Sequence, residues 1–279
     1  MTEFRGQLHK MAVQFAEPVQ YSLVLKQGGE VLNGLPILNE YLGKTLNIEF
    51  TGNINCIACN RKISKTFQQG YCFPCMQKLA CCDMCILKPQ HCHFHNNTCR
   101  EPAWGLANCF IPHIVYLANS SGIKVGLTKE MNVPSRWIDQ GATQALAILR
   151  VHSRLQAGLL EVAFAKHVAD KTDWRKMLLN NTSAVDLLAK RNELLFTMAA
   201  DIQAIAAKFK FGDIEMLTAE PVYNLTYPVL SYPTKINTIS LEKTANINDV
   251  LLGIKGQYLL FASGVINLRK YTGYEIVMH

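Results

Sequence analysis

The chain has 279 residues, 49% of them hydrophobic, and a formal net charge of +7 at pH 7. That much apolar material fills one core and is expected to fill two, which excludes a chain dominated by disorder. No apolar run approaches the ~18 residues that span a bilayer, and the opening "MTEFRGQLHKMAVQF" has charges where a signal peptide has its apolar block. No membrane partner is therefore expected, and the expected address is cytoplasmic.

The positive charge is uneven. Residues 56–100 carry six basic side chains against Asp83 alone, and residues 113–181 carry nine against five acidic ones. A basic middle suits a polyanion, because each phosphate neutralised releases counterions. A zinc ion held by four thiolates carries a charge of −2, so two such ions would offset much of the excess in 56–100. Charge and cysteines together lead to the expectation of a nucleic acid, DNA or RNA, as partner.

Residues 1–55 hold two strand-like segments, "VQYSLVL" and "TLNIEFTG", separated by the turn-rich "KQGGEVLNG". All ten cysteines follow between Cys56 and Cys109, in close pairs. In a reducing compartment that clustering indicates metal ligation rather than disulfides. In "CIACNRKISKTFQQGYCFPC" the pairs Cys56/Cys59 and Cys72/Cys75 repeat one spacing across twelve intervening residues, the usual route to a tetrahedral zinc site. The next stretch, "CCDMCILKPQHCHFHNNTC", supplies donors for a second ion: Cys82, Cys85 and Cys99, with a fourth ligand from Cys92, His93 or Cys109. Cys81 is expected to be a packed bystander. An all-thiolate site is closed to water, so one or two structural zinc ions are expected; His93 and His95 leave room for a catalytic second site.

Between His113 and about Asn181 the pattern is strand, strand, helix, strand, helix. "HIVYLAN" and "IKVGLTK" flank a Ser120-Ser121-Gly122 turn, Pro134 and Ser135 start a helix that presents Arg136, "ALAILRVHS" is a third strand, and "RLQAGLLEVAFAKHV" is a helix carrying Glu161. A helix is expected from Ser183, with Asp186 as capping-box partner, an apolar stripe from Leu188 to Phe209, and Gly212 as its stop. The end of the chain contains β-rich runs broken by Gly256, Gly264 and Gly273. With 1–55 they would form one small barrel or folded sheet, either purely structural or an oligonucleotide-binding surface carrying Arg269, Lys270, Tyr271 and Tyr274.

The order and residues of the middle block resemble the GIY-YIG endonuclease superfamily. Ile114-Val115-Tyr116 is similar to the first signature and Lys124-Val125-Gly126 to the second; Arg136 matches the family's arginine, Glu161 its metal-binding glutamate, and Asn180 or Asn181 its asparagine. The resemblance implies a single divalent cation, Mg or Mn, on Glu161, an arginine that stabilises charge on the phosphate, and a Tyr116 that activates water. Lys124 stands where the family has its second tyrosine, so either Tyr116 does all the phenolic work or cleavage has been lost; Lys124 can still hold a phosphate as a point charge. A broader resemblance, through "GYCFPC", "TCREPAWG", "HIVYLANSSGIKVG", "RWIDQGA" and "GIKGQYLLF", is to a bacterial family described only as a domain of unknown function.

The expected fold is therefore α+β: β-rich 1–55, a zinc-binding cysteine-rich module at 56–110, a GIY-YIG-like ββαβα domain at 111–182, and a helix plus β-rich 183–279 that pairs with 1–55. The expected function is nucleic-acid binding with metal-dependent phosphodiester hydrolysis, in which Tyr116, Lys124, Arg136 and Glu161 form the site. A catalytically inactive nucleic-acid-binding or protein-interaction module is the alternative.

Overall fold

The computed structural model describes residues 3–169, 171–209 and 213–279. It is a mixed α/β fold that divides into two compact units. One comprises Met1–Gln77, Leu178–Asn180 and Leu225–His279, the other Lys78–Met177 and Asn181–Asn224. The cysteine-rich stretch is thus shared: Cys56 to Cys75 belong to the first unit and Cys81 to Cys109 to the second.

The first unit is a curled antiparallel sheet of eight strands. Their order is Val265–Asn267, Tyr258–Phe261, Asn246–Lys255, Thr45–Ile54, Tyr274–Met278, Phe4–Leu8, Leu25–Gln27 and Glu30–Val31. Both chain ends contribute, and they interleave: Phe4 pairs with Met278 and Gln7 with Glu275, while Ile276 pairs with Phe50 on the other side. Alternation decides the face, since Tyr274, Ile276 and Met278 are buried and the residues between them are only partly so. Gly273 makes the turn into that last strand at φ +91°, and a Cβ there would stand 2.5 Å from the Asn55 carbonyl oxygen, so only glycine fits. The segment "VQYSLVL" is not one strand. It breaks at Leu23 into Gln20–Ser22, paired with Ala12–Gln14 in a separate ribbon, and Leu25–Gln27 in the main sheet.

The second unit holds the strand, strand, helix, strand, helix order: His113–Asn119, Ile123–Lys129, Ser135–Asp139, Gln144–Val151 and Arg154–Phe164. The sheet runs Glu215–Met216, Gln144–Val151, His113–Asn119, Ile123–Lys129, with Tyr223–Asn224 also paired to Gln144–Val151. Every residue of His113–Asn119 is buried, as a central strand covered on both faces requires. Val115, Leu117 and Val125 pack with Leu160 and Phe164 of the last of these helices. Ser153 caps that helix by accepting from the Gln156 amide, 3.3 Å away.

The helix expected from Ser183 starts later and is broken. Asp186 is itself the N-cap, accepting from the Ala189 amide at 2.9 Å, rather than a capping-box partner of Ser183. The helix covers Leu187–Thr197, kinks at Met198, and resumes as Ala199–Ala206. The stop expected at Gly212 lies outside the described residues. No helix among the described residues is long and apolar enough to cross a membrane.

A buried cation marks the first unit. Lys255, at the end of Asn246–Lys255, is fully buried; its ammonium donates to Asn180 Oδ1 at 2.8 Å and lies 5.1 and 5.4 Å from the ring centres of Tyr232 and Tyr227. Burial pulls its pKa down from 10.5 to about 8. Between those values the unfolded chain binds the proton that the folded chain has lost, so Lys255 adds stability as pH rises through this window and removes it as pH falls. The melting temperature of wild type relative to Lys255→Met is therefore expected to climb between pH 7.5 and pH 10.5, and a flat difference would show that Lys255 titrates alike in both states.

Candidate functional site

Two sequence-distant knuckles bring the first four cysteines together. After Thr45–Ile54 the chain turns so that the Cys56 amide bonds the Arg61 carbonyl at 2.9 Å, with Asn60 at φ +56°. A second turn at Gly70 precedes Cys72 and Cys75, and the Ile57 amide bonds the Gly70 carbonyl at 2.9 Å, tying one knuckle to the other. The four sulfurs of Cys56, Cys59, Cys72 and Cys75 lie within 4.8 Å of one another, and those of Cys59 and Cys72 are 3.7 Å apart. Tetrahedral zinc–sulfur bonds of ~2.3 Å imply sulfur separations of ~3.8 Å. Four cysteines placed so can hold a metal ion.

The thiols already feel their crowding. Burial would raise the Cys56 pKa, but hydrogen bonds from the backbone of Cys72, Cys59 and Ala58 overcome it and bring the value to about 6. Burial pushes the Cys75 thiol up, reinforced by the sulfurs of Cys72, Cys59 and Cys56. Four such groups cannot all ionise without a cation among them, which is the condition a structural zinc satisfies.

In the second unit Cys85, Cys92, Cys99 and Cys109 line one cavity of about 20 Å³, together with Asp83 and His93. Cys82 does not line it; it is buried, with its sulfur 3.9 Å from that of Cys81. Donor atoms of Asp83, Cys85 and His93 come within 4.8 Å of one another. Asp83, however, pairs with Arg100 at 2.6 Å and His93 Nε2 at 3.5 Å, and it caps the Cys85 amide. His93 Nδ1 is 2.7 Å from Thr98 Oγ1.

The hairpin residues converge on one hydroxyl. Tyr116 is opposite Gly126 in the register, and its ring lies over that glycine: a Cβ at 126 would stand 2.6 Å from the phenol oxygen. Trp137 packs edge-on at 5.8 Å between ring centres. Gln140 Nε2 donates to the Tyr116 oxygen at 2.6 Å, and the positive charge of Arg136 acts on the phenol. Glu161 is near enough for its charge to act on the same group. Burial, with Tyr116 only 1% exposed, raises the phenol's pKa in spite of Arg136 and Gln140, so Tyr116 holds its proton at neutral pH. Lys124 is buried on the facing strand, two residues before Gly126 and opposite Ala118. Arg136 and Glu161 are half-buried.

Two residues that sequence reasoning missed join this group. Gln140 is one helical turn beyond Arg136, a spacing that places both on one side of the short helix. Arg154 opens the helix that carries Glu161, two turns earlier; its Nη2 donates to the Ile86 carbonyl at 2.6 Å, and its charge interacts with Cys109, Cys85, Glu161 and Arg136. Arg154 Nε, Trp137 Nε1 and Gln140 Oε1 are buried without a hydrogen-bond partner among the described residues. Asn180 belongs to the first unit, where it accepts from Lys255.

The model of a family described as "Protein of unknown function (DUF2797)" matches residues 43–276. No curated protein and no solved structure matches the chain.

The fit of Tyr116 on Gly126 is expected to make Gly126→Ala cost about 1–3 kcal/mol in urea denaturation, and less in a Tyr116→Ala background, where the ring is gone. Equal costs in both backgrounds would show that the ring and the glycine do not touch.

Proposed function

Because the chain belongs to the DUF2797 family, whose description names no activity, we propose from its own geometry that it is a zinc-stabilised nucleic-acid-binding protein with a GIY-YIG-like phosphodiester site. The observation that carries this reading is the Tyr116 hydroxyl, to which Gln140 donates and which the charges of Arg136 and Glu161 both reach. A scaffold has no need to gather a phenol, a guanidinium and a carboxylate around buried polar atoms that lack partners.

In this reading Arg136 pairs with the phosphodiester oxygens, for which its planar fork is suited, and Lys124 adds a point charge from the neighbouring strand. Tyr116, which keeps its proton, donates a hydrogen bond to the phosphate rather than removing a proton from water. Glu161 is the residue that would hold Mg or Mn; one carboxylate suffices for a cation that keeps most of its waters and takes further ligands from substrate phosphate. Such a cation supplies Lewis-acid stabilisation of the charge that develops on the phosphate. With Arg136 and Arg154 nearby, cation and polyanion would enter together, since either charge alone is poorly matched there. Cys56, Cys59, Cys72 and Cys75 would hold zinc in a closed, structural site.

A second reading, an inactive binding module, is favoured by two facts: the raised pKa of Tyr116 and the lysine at position 124. One experiment separates the two. Wild type and Glu161→Ala are incubated with labelled DNA and RNA and Mg²⁺ or Mn²⁺, then run on denaturing and native gels in parallel. Cleavage by wild type that drops at least ~100-fold in the variant is the expected result. Retardation without cleavage in both proteins identifies the binding module, and neither retardation nor cleavage at low salt overturns the proposal.

A further inference from the structure

We propose that Asp83, Cys85 and His93 hold a second zinc ion through one oxygen, one sulfur and one nitrogen, with the fourth coordination position open to the small cavity beside them.

The donors come from two neighbouring turns of the second unit. Asp83 caps the short helix Met84–Leu87, its Oδ1 accepting from the Cys85 amide at 3.3 Å, so carboxylate and thiol are held at one helix end. His93 precedes the turn Phe94–Asn96, which closes at Asn97 with φ +58°, and its ring reaches back to Asp83. One donor atom from each of the three residues lies within 4.8 Å of the others. Among the described residues no three sulfurs of the cavity lie that close together.

Hydrogen bonding decides which ring nitrogen is free. Thr98 Oγ1 spends its one proton on the His93 carbonyl at 3.1 Å, so it accepts from Nδ1 of the same ring at 2.7 Å. In the neutral ring that leaves Nε2 with its lone pair, 3.5 Å from Asp83 Oδ1. Two acceptors so placed repel each other unless a cation lies between them. A shared proton would draw a charged pair to ~2.7–2.9 Å, whereas zinc bonds of ~2.0–2.1 Å put tetrahedral neighbours ~3.3–3.4 Å apart. The observed separation is close to the second value.

The surroundings fit an ion with an exchangeable position. Arg100 Nε holds the other carboxylate oxygen, Oδ2, at 2.6 Å, and Thr98 holds Nδ1, so both ligands have the outer partners that orient them. The side chains of Asp83 and His93 are 13% and 30% exposed, which gives the ion an entry path. The cavity that the three residues line has about 20 Å³, and a water-sized body needs ~10–15 Å³ by this measure. Three protein ligands and one small exchangeable ligand make an open zinc site, unlike the closed set at Cys56, Cys59, Cys72 and Cys75. A donor set of thiolate, imidazole and carboxylate selects zinc over magnesium or calcium.

The test uses full-length protein purified without chelator. Elemental analysis with native mass spectrometry is expected to find two zinc ions per chain, and zinc-edge X-ray absorption a shell in which nitrogen and oxygen accompany sulfur. His93→Ala should release one ion and recover it when imidazole is supplied. Thr98→Val should hold that ion ~10–100-fold more weakly against a chromogenic chelator, as loss of an outer partner does. Cys92→Ser/Cys99→Ser should keep both ions. With cobalt in place of zinc, azide should shift the visible spectrum of wild type, as exchange at an open position requires. A zinc content that His93→Ala leaves unchanged, a shell of sulfur alone, loss of an ion from Cys92→Ser/Cys99→Ser at unchanged circular dichroism, or a cobalt spectrum indifferent to azide would each overturn the assignment. The wild-type absorption and azide measurements hold even if a variant fails to fold, and none of them depends on nucleic-acid binding or cleavage.

Discussion

The second unit depends on one close approach. The helix Arg154–Phe164 passes the Pro89–His91 turn at Gly158, where a Cβ would come within 2.5 Å of the Pro89 side chain and 2.8 Å of the Gln90 amide nitrogen. Nothing larger than glycine fits without a shift of backbone. That approach sets the register between the cysteine-rich turns and the ββαβα layer, and it places Arg154, at the head of the helix, against the Ile86 carbonyl. Two turns further on, the same helix carries Glu161 toward Tyr116. A single missing side chain therefore joins the thiol cluster to the hydroxyl cluster.

Electrostatics explains why the joint is polar. Arg154 is a half-buried guanidinium whose charge interacts with Cys109 and Cys85 and with Glu161 and Arg136. Burying such a cation is costly unless fixed negative charge is close. The carboxylate of Glu161 supplies negative charge within its reach. The arrangement joins the thiol cluster to the Tyr116 cluster through a residue that belongs to neither in the sequence pattern. His113, at the start of the same strand as Tyr116, shows the reverse case: burial, with Arg154 and Lys129 nearby, lowers its pKa to about 4 and keeps it neutral.

The first unit is governed by the chain ends. Its central strands are the long Thr45–Ile54 and Asn246–Lys255, which pair with each other from Thr45↔Val250 to Glu49↔Asn246, and the terminal strand Tyr274–Met278 lies between Thr45–Ile54 and Phe4–Leu8. The sheet thus cannot be completed until both ends of the chain are present. The first cysteine set grows out of the end of Thr45–Ile54, so its knuckles are anchored on a strand that is paired on both sides.

Spacing and alternation, which are local, were legible in the sequence. The Cys56/Cys59 and Cys72/Cys75 pairs meet as their spacing implies, the ββαβα order is present, and strands from both ends share one sheet. What failed or stayed open was decided by contacts between distant segments. Asp186 caps the helix that Ser183 was expected to start, because the chain at Ser183 is held instead by Asn119 Nδ2 at 2.8 Å. Cys82 and Cys109 could not be ranked by spacing, since the cavity that includes one and leaves out the other is closed by Gly105 and Phe94. Gln140 and Arg154 carry no motif; only packing brings them to Tyr116 and to the thiols. The sequence by itself determined which residues could act on metal and phosphate, because residue chemistry and short spacings are local properties. The tertiary structure alone decided which of them meet, because desolvation and charge pairing depend on neighbours that are far apart along the chain.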